Sequence, residues 1–372
     1  MFKSNWSSMP SIILILIVTF LSSCTTFSTT EKYILTVNVE QTESTPTVKI
    51  YADGEEIDSK EGKSVQFELR DGEYIIKVKA DNDDTQTRDV LINGSDVTKD
   101  ITFSDLKIPE DDWEPGDGWE LKWSDEFDSA EIDESNWTRQ ELPAGKFNNE
   151  WQEYTDSPDN SYIKRDADGN GAMVIEAKHE EDGFGEGNFT SARMITNEKA
   201  EFKYGKIAAR IKVPEGQGIW PAFWMLGTNI DETGGDTPWP WAGEIDIMEK
   251  VGGNEEDERT VHGHLHYSGC EYDPDQDWQQ CYNAPGDSKT IEEPLAADYR
   301  VYEIEWDEEV IIWRLDGEEY HRQDISGDEF YAFREEFYII LNVAVGGDWP
   351  QYPDESTEFP QRMYVDWVRV YQ

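Results

Sequence analysis

Glu244, Asp246 and Glu249 lie in the stretch GEIDIMEKVG, from Gly243 to Gly252, among the apolar residues Ile245, Ile247 and Met248. β-Branched residues alternating with polar ones read as a strand. Three like charges on so short a strand repel one another, so a chemical use has to justify them. Side chains alternate along a strand, which puts Glu244 and Asp246 on one face and turns Ile245 and Ile247 to the core. Strict alternation would then set Met248 beside the acids and Glu249 in the core, where an unpaired carboxylate is expensive. One extra residue restores the phase. The spacing therefore predicts a β-bulge at Ile247–Met248 that turns all three carboxylates into one cleft.

Two carboxylates flanking a bond are the tools of glycoside hydrolysis: one attacks the anomeric carbon and the other protonates the leaving oxygen. A third between them holds a proton or hydrogen bond and raises its neighbour's pKa, so the acid stays protonated near neutrality. Acids on one strand lie close together, which favours the retaining over the inverting mechanism. A calcium loop or a solvated edge strand is the plainer alternative. Calcium loops usually carry Gly and Asn among their acids, and neither occurs inside this stretch.

The elements that must carry this strand are themselves strands. From Trp119 to Gln372 the chain reads MVIEAK, YGKIAARIKV, WPAFWML, VHGHLHY, YRVYEIEW, VIIWRLDG, FYIILNVAV and MYVDWVRVYQ, with no long helical periodicity. Many antiparallel strands of this kind suit one large sandwich or jelly roll. Fifteen tryptophans is a high count; some must fill a core, and a surplus on a concave face would suit stacking on sugar faces. Lys and Arg total 32 against 81 acidic residues, a net charge of −49. Nucleic acid is excluded as a partner, and so is direct binding to anionic membrane surfaces. Such an excess also suits high salt, where repulsion is screened, and a saline habitat is one reading of it.

With those residues in view, the segment 119–372 resembles glycoside hydrolase family 16 in its laminarinase-like form. GEIDIME, with the extra Met248, is similar to the bulged catalytic signature of laminarinases, agarases and carrageenases. WSDEFD (Trp123–Asp128), NNEWQEYT (Asn148–Thr155), TSARMIT (Thr190–Thr196), GIWPAFWML (Gly218–Leu226), NVAVGGDWP (Asn342–Pro350) and VDWVRVYQ (Val365–Gln372) follow in the family's order. The resemblance implies an all-β, concanavalin-like jelly roll with a substrate groove and retention of configuration. It implies Glu244 as nucleophile, Asp246 as its assisting partner and Glu249 as acid/base, with no cofactor for catalysis. It further implies Asn149 and Arg193 as donors to sugar hydroxyls, and Trp224, Trp239 and Trp349 as stacking platforms. His262, His264 and His266 share one strand face, where three imidazoles could hold zinc. The family has no catalytic zinc, and His266 is expected to contact the substrate or the acids. A structural calcium is implied on Glu126, Gly169 and Asp366, of which Asp366 alternatively forms a salt bridge. The activity implied is endo-cleavage of β-1,3-glucosidic linkages in laminarin-like glucans, with mixed-linkage glucan as a further substrate. A galactan-acting, agarase- or carrageenase-like enzyme is the alternative. Family members that lost the acids only bind β-glucan, and all three acids are present here.

The N-terminal third reads differently. Lys3 precedes the apolar run Ile12–Leu21, too short to span a bilayer but fit for a secretory signal. LSSC (Leu21–Cys24) resembles a bacterial lipobox, so residues 1–24 are expected to be a signal and Cys24 a lipidated residue of an exported, membrane-anchored lipoprotein. Residues 31–105 carry short alternating runs separated by Asp71-Gly72 and Asn93-Gly94 turns, which predicts a small Ig-like β-sandwich serving as spacer or carbohydrate-binding module. Residues 106–118, rich in Pro, Gly and acids, read as a linker. In an exported chain Cys270 and Cys281 are expected to pair as a disulfide, closing a loop beside the reducing-side subsites. A monomer is expected.

Overall fold

The computed structural model describes residues 32–372 apart from 41–44, 53–54, 80–84, 103–105, 167–168, 181–182 and 276. The signal run and Cys24 lie outside the described residues. Among the described residues no helix is long and apolar enough to cross a membrane. The chain forms two compact units, divided after residue 103.

The first unit is a small sandwich of a three-stranded and a four-stranded sheet. Its strands obey the period-two rule: along Ser64–Leu69 the side chains alternate outward and inward, and Val65, Phe67 and Leu69 are buried. They meet Leu35, Val37, Val48, Ile50, Ile76 and Val78 in a core of their own.

The second unit is built from a ten-stranded and a nine-stranded sheet. Between them lies one core to which Ile207, Ala209, Tyr302, Ile304, Val365 and Val368 contribute from one layer and Phe223, Met225, Ile245, Ile339 and Leu341 from the other. Burying each aliphatic side chain of this size contributes about 2 kcal/mol, most of it offset by chain ordering. In the nine-stranded sheet the consecutive neighbours are Tyr282–Asn283, Thr260–Ser268, Glu244–Glu249, Ile219–Gly227, Phe337–Val345 and Arg193–Ile195. The strand bearing the acids is thus central, held on both edges, and its free face looks away from the core.

The segment 106–118 is not a free linker. Leu106 and Ile108 are buried against Ala172 and Tyr299. The Trp113 ring lies 5.2 Å from that of Trp367, and its Nε1 donates to Glu303 Oε2 at 2.9 Å. Asp111 accepts hydrogen bonds from Trp367 Nε1 at 2.9 Å and from Arg369 at 3.1 Å. Three spaced apolar residues outweigh the Pro, Gly and acidic content around them, and the segment becomes a strap on the second unit.

Candidate active site

The bulge lies where the spacing placed it. Across the sheet, Glu244 pairs with His266, Asp246 with His264 and Glu249 with His262, so between the last two pairs Ile247 and Met248 oppose the single residue Gly263. On the opposite edge Asp246 faces Trp224 and Met248 faces Phe223, which leaves Ile247 as the inserted residue. Ile245, Ile247 and Met248 are all buried in the core, while the three carboxylates line one cleft of about 810 Å³. The insertion reconciles apolar burial with a shared acidic face.

Each outer acid is held by an indole. Trp239 Nε1 donates to Glu244 Oε2 at 3.1 Å, and Trp220 Nε1 donates to Glu249 Oε1 at 3.0 Å. His266 Nε2 lies 3.1 Å from Asp246 Oδ2 and 3.7 Å from Glu244 Oε1, and its Nδ1 meets the hydroxyl of Tyr282. Burial works against a charged imidazole, but Glu244 and Asp246 outweigh it and raise His266 to about 11, so it is an imidazolium at neutral pH. Burial and the neighbouring Asp246 push Glu249 well above the usual carboxylate range and make it a proton carrier. Glu244 is also raised by burial and Asp246, but the His266 cation and the Trp239 N–H oppose the rise. Both outer acids are raised by burial and Asp246 and opposed by the His266 cation and an indole N–H; Glu244 is pushed up to about 8 and Glu249 well above the carboxylate range, so Glu249 is the one that holds its proton more firmly. Burial lowers His262 to about 4 and also lowers His264, leaving two neutral imidazoles beside Glu249.

The cleft wall beyond the acids is polar and aromatic. Arg193 is buried, pairs with Glu232 at 2.8 Å, and stacks its guanidinium on Trp224 and Phe147. Trp224 Nε1 donates to Asn342 Oδ1 at 2.7 Å, and Asn342 donates in turn to the Tyr154 hydroxyl at 3.0 Å. Trp349 is exposed and sits edge-on to His262 and Trp220.

Residues 148–369 match the model of the glycosyl hydrolases family 16. The chain belongs to this family. It is 37% identical over 267 residues to a β-glucanase of Rhodothermus marinus, a match covering 68% of this chain and 85% of that one. It is 33% identical to glucan endo-1,3-β-glucosidase A1 of Niallia circulans, spanning 68% of this chain and 38% of that longer protein. The catalytic domain of an endo-1,3-β-glucanase (laminarinase) from Thermotoga petrophila superposes with a TM-score of 0.57 at 42% identity, covering 68% of this chain and 98% of that domain.

In this family 16 chain the cleft collects Glu244, Asp246, Glu249, Arg193, Trp224, Trp239, His266 and Trp349. Asn149 is placed elsewhere. Its carboxamide donates to both oxygens of Asp348 at 2.9 and 3.0 Å, and it is Asn148 that lines the cleft. Both asparagines have positive φ, +46° and +55°, so the backbone turns twice and strand alternation no longer tells which side chain faces in. The calcium set does not assemble either. Asp366 is paired with Arg210, Glu126 accepts from Arg369 through both oxygens, and the Gly169 carbonyl accepts from Arg165. Each of these expected ligands thus faces a guanidinium in the structure. Among the described residues, the groups close enough to share an ion are Glu244, Asp246 and His266, and Asp246, Glu249 and His264, both in the catalytic cleft.

Among the cleft residues left unassigned in the sequence are Trp220, Glu150, Glu232 and Tyr282. Trp220 shares a strand face with Trp224, so period two could have found it. Glu150 lies one residue past the double asparagine turn and is buried against Gln152, Asn148 and Tyr154. Glu232 sits in a single 3-10 turn, Asp231–Thr233, and Tyr282 on a two-residue strand, both too short to carry a periodic signal. Cys270 and Cys281 form a disulfide with Cα atoms 5.7 Å apart. The strand Tyr282–Asn283 that follows it and the strand bearing Arg193 lie on opposite sides of the acids in the sheet.

Proposed function

We infer that the protein is a retaining, endo-acting β-1,3-glucanase. The observation that carries this is the bulged strand, which presents three carboxylates to one cleft and gives each outer acid its own indole donor. Glu244, ionised beside the His266 cation, attacks the anomeric carbon while Glu249 passes its proton to the leaving oxygen. Water then attacks the glycosyl-enzyme, and the Glu249 carboxylate takes the proton back. Asp246 sits between them, its oxygens reaching both acids and tying His266 in place.

The substrate class follows from charge and from the relatives. With Glu249 protonated, Glu150, Glu232, Glu244 and Asp246 line the cleft against Arg193, Lys146 and the His266 cation, and Arg193 is already paired with Glu232. A sulfated galactan would meet net repulsion there, whereas a neutral glucan would not. The relatives named above act on β-glucans, two of them on 1,3-linkages. A reducing-end assay of the chain from Thr25 against laminarin, lichenan, agarose and carrageenan tests this. Laminarin is expected to be cut fastest, lichenan more slowly and the galactans not at all; activity confined to agarose or carrageenan would overturn the linkage while keeping the mechanism.

We further infer an exported lipoprotein anchored through Cys24, supported by the apolar run and the LSSC motif. Mass spectrometry of the mature N-terminus in a bacterial host is expected to show a lipid-modified Cys24. A mature chain that keeps residues before Cys24, or carries an unmodified cysteine, contradicts this.

A further inference from the structure

Hydrolysis as described makes no use of the Cys270–Cys281 loop, yet the loop reaches both groups that hold Glu244. The loop is firmly seated: Gly269 N–H donates to the Cys281 carbonyl at 2.8 Å, and the Tyr331 hydroxyl donates to the Cys270 carbonyl at 2.8 Å. Directly after the disulfide, Tyr282 pairs back on the histidine strand opposite Ser268. Its ring stacks on His266 with centroids 5.8 Å apart and planes 15° from parallel, and its hydroxyl bonds His266 Nδ1. Within the loop, Trp278 meets Trp239 edge-on with centroids 5.1 Å apart and Tyr282 at 5.3 Å. Tyr282 also lies 5.3 Å from Trp239.

We propose that the disulfide-closed loop is a positioning clamp for the nucleophile, acting through Tyr282 on His266 and through Trp278 on Trp239. The proposal rests on the reading of Glu244 as nucleophile. An imidazolium whose Nε2 is ion-paired with Asp246 at 3.1 Å and whose Nδ1 donates to the Tyr282 oxygen is held at both nitrogens, which resists rotation about its side-chain axis. Without the Tyr282 hydroxyl one N–H is orphaned, and the ring gains a reason to rotate its charge away from Glu244. In a cleft screened poorly by water, a small displacement of that charge changes the ionisation of the carboxylate. The titratable groups facing His266 are Glu244 and Asp246 on the acid strand, His264 on its own strand and Tyr282 on the loop strand, and of these Tyr282 alone comes from outside the two central strands; the Trp239 ring lies 6.1 Å away. Opening the disulfide frees the ends of the segment that carries Trp278 and Tyr282, so both contacts loosen together.

The test uses the full chain with laminarin and compares wild type, Tyr282→Phe, and the double variant Cys270→Ser with Cys281→Ser, measuring kcat, KM, the pH profile and thermal unfolding. Tyr282→Phe is expected to lower kcat about tenfold, the size of one lost hydrogen bond to a charged group, with little change in KM. The acidic limb of its kcat/KM profile is expected to move to higher pH, because Glu244 loses part of the cation that favours its ionised form. Reduction of wild type should act in the same direction, and re-oxidation should restore the rate. A folded Tyr282→Phe with the wild-type kcat and pH profile overturns the clamp. So does a rise in KM alone, which would make Tyr282 a substrate contact, or a lower melting temperature with an unchanged profile, which would make the loop structural. If the double cysteine variant does not fold, Tyr282→Phe decides. Glu244→Ser runs alongside: an active Glu244→Ser would sink the underlying assignment, whereas a dead one beside an unaffected Tyr282→Phe sinks the clamp alone.

Discussion

Glu244→Ser is expected to remove laminarin hydrolysis almost entirely, by on the order of 10⁴-fold or more, as losses of a covalent nucleophile do. Serine is too short to reach the anomeric carbon from the Glu244 backbone position, and no other side chain can replace it. Asp246 is committed to His266, and Glu249 holds the proton that the leaving oxygen needs. The fold should not suffer. Glu244 is a buried carboxylate next to Asp246, so the substitution removes a repulsion and a desolvation cost, at the loss of one hydrogen bond from Trp239. Reducing-end release and thermal unfolding measured on the same sample check both halves. Residual activity within about a hundredfold of wild type would be too large for a missing nucleophile and would move that role to another acid.

Glu249→Gln is expected to produce a different defect. The loss on polysaccharide is expected to be about 10²–10⁴-fold, the range of general acid catalysis. An aryl glycoside whose phenol leaves without protonation should still form the glycosyl-enzyme quickly, and the intermediate should then accumulate, because no base activates the incoming water. The pH dependence gives the sign. Wild type needs Glu244 ionised and Glu249 protonated, so its rate falls as pH drops through the Glu244 pKa and falls again as pH rises through that of Glu249. Both are shifted upward, by burial first and then by Asp246, so the acidic limb lies above the range of a free glutamate. The two glutamates feel each other's charge, so the limbs belong to the pair. In Glu249→Gln the alkaline fall should disappear and the acidic fall should remain. An alkaline limb that survives the substitution would assign the proton to a different group.

The site was readable in the sequence where its logic is periodic and local. Alternation along one strand placed Ile245 and Ile247 inward, exposed the conflict at Glu249 and required the bulge that the strand pairing shows. The same rule put His262, His264 and His266 on one strand face, and the family resemblance brought His266 to the acids. It gives no guidance where the backbone leaves regular geometry: at two successive residues with positive φ, Asn149, expected from the family motif, meets Asp348, and Asn148 turns to the cleft. It also failed for contacts made across long loops. Glu232 meets Arg193 from 39 positions away, and Tyr282 meets His266 only because a disulfide loop returns its chain to the sheet. The strap was missed for a third reason. Composition suggested a linker, but Leu106, Ile108 and Trp113 need only a complementary surface, and Ala172, Tyr299 and Trp367 provide one that no local pattern reveals. The arginines that occupy the expected calcium ligands are equally non-local: Arg210 reaches Asp366 across 156 positions and Arg369 reaches Glu126 across 243.

The central claim is that two acids on one bulged strand carry out two successive displacements at the same carbon. Proton NMR of a laminari-oligosaccharide during the first minutes of hydrolysis reads this directly, before the released sugar mutarotates. The β-anomer of the new reducing end should appear first, with the α-anomer growing in later. If the α-anomer appears first, water attacks in a single inverting step and Glu244 is not a nucleophile.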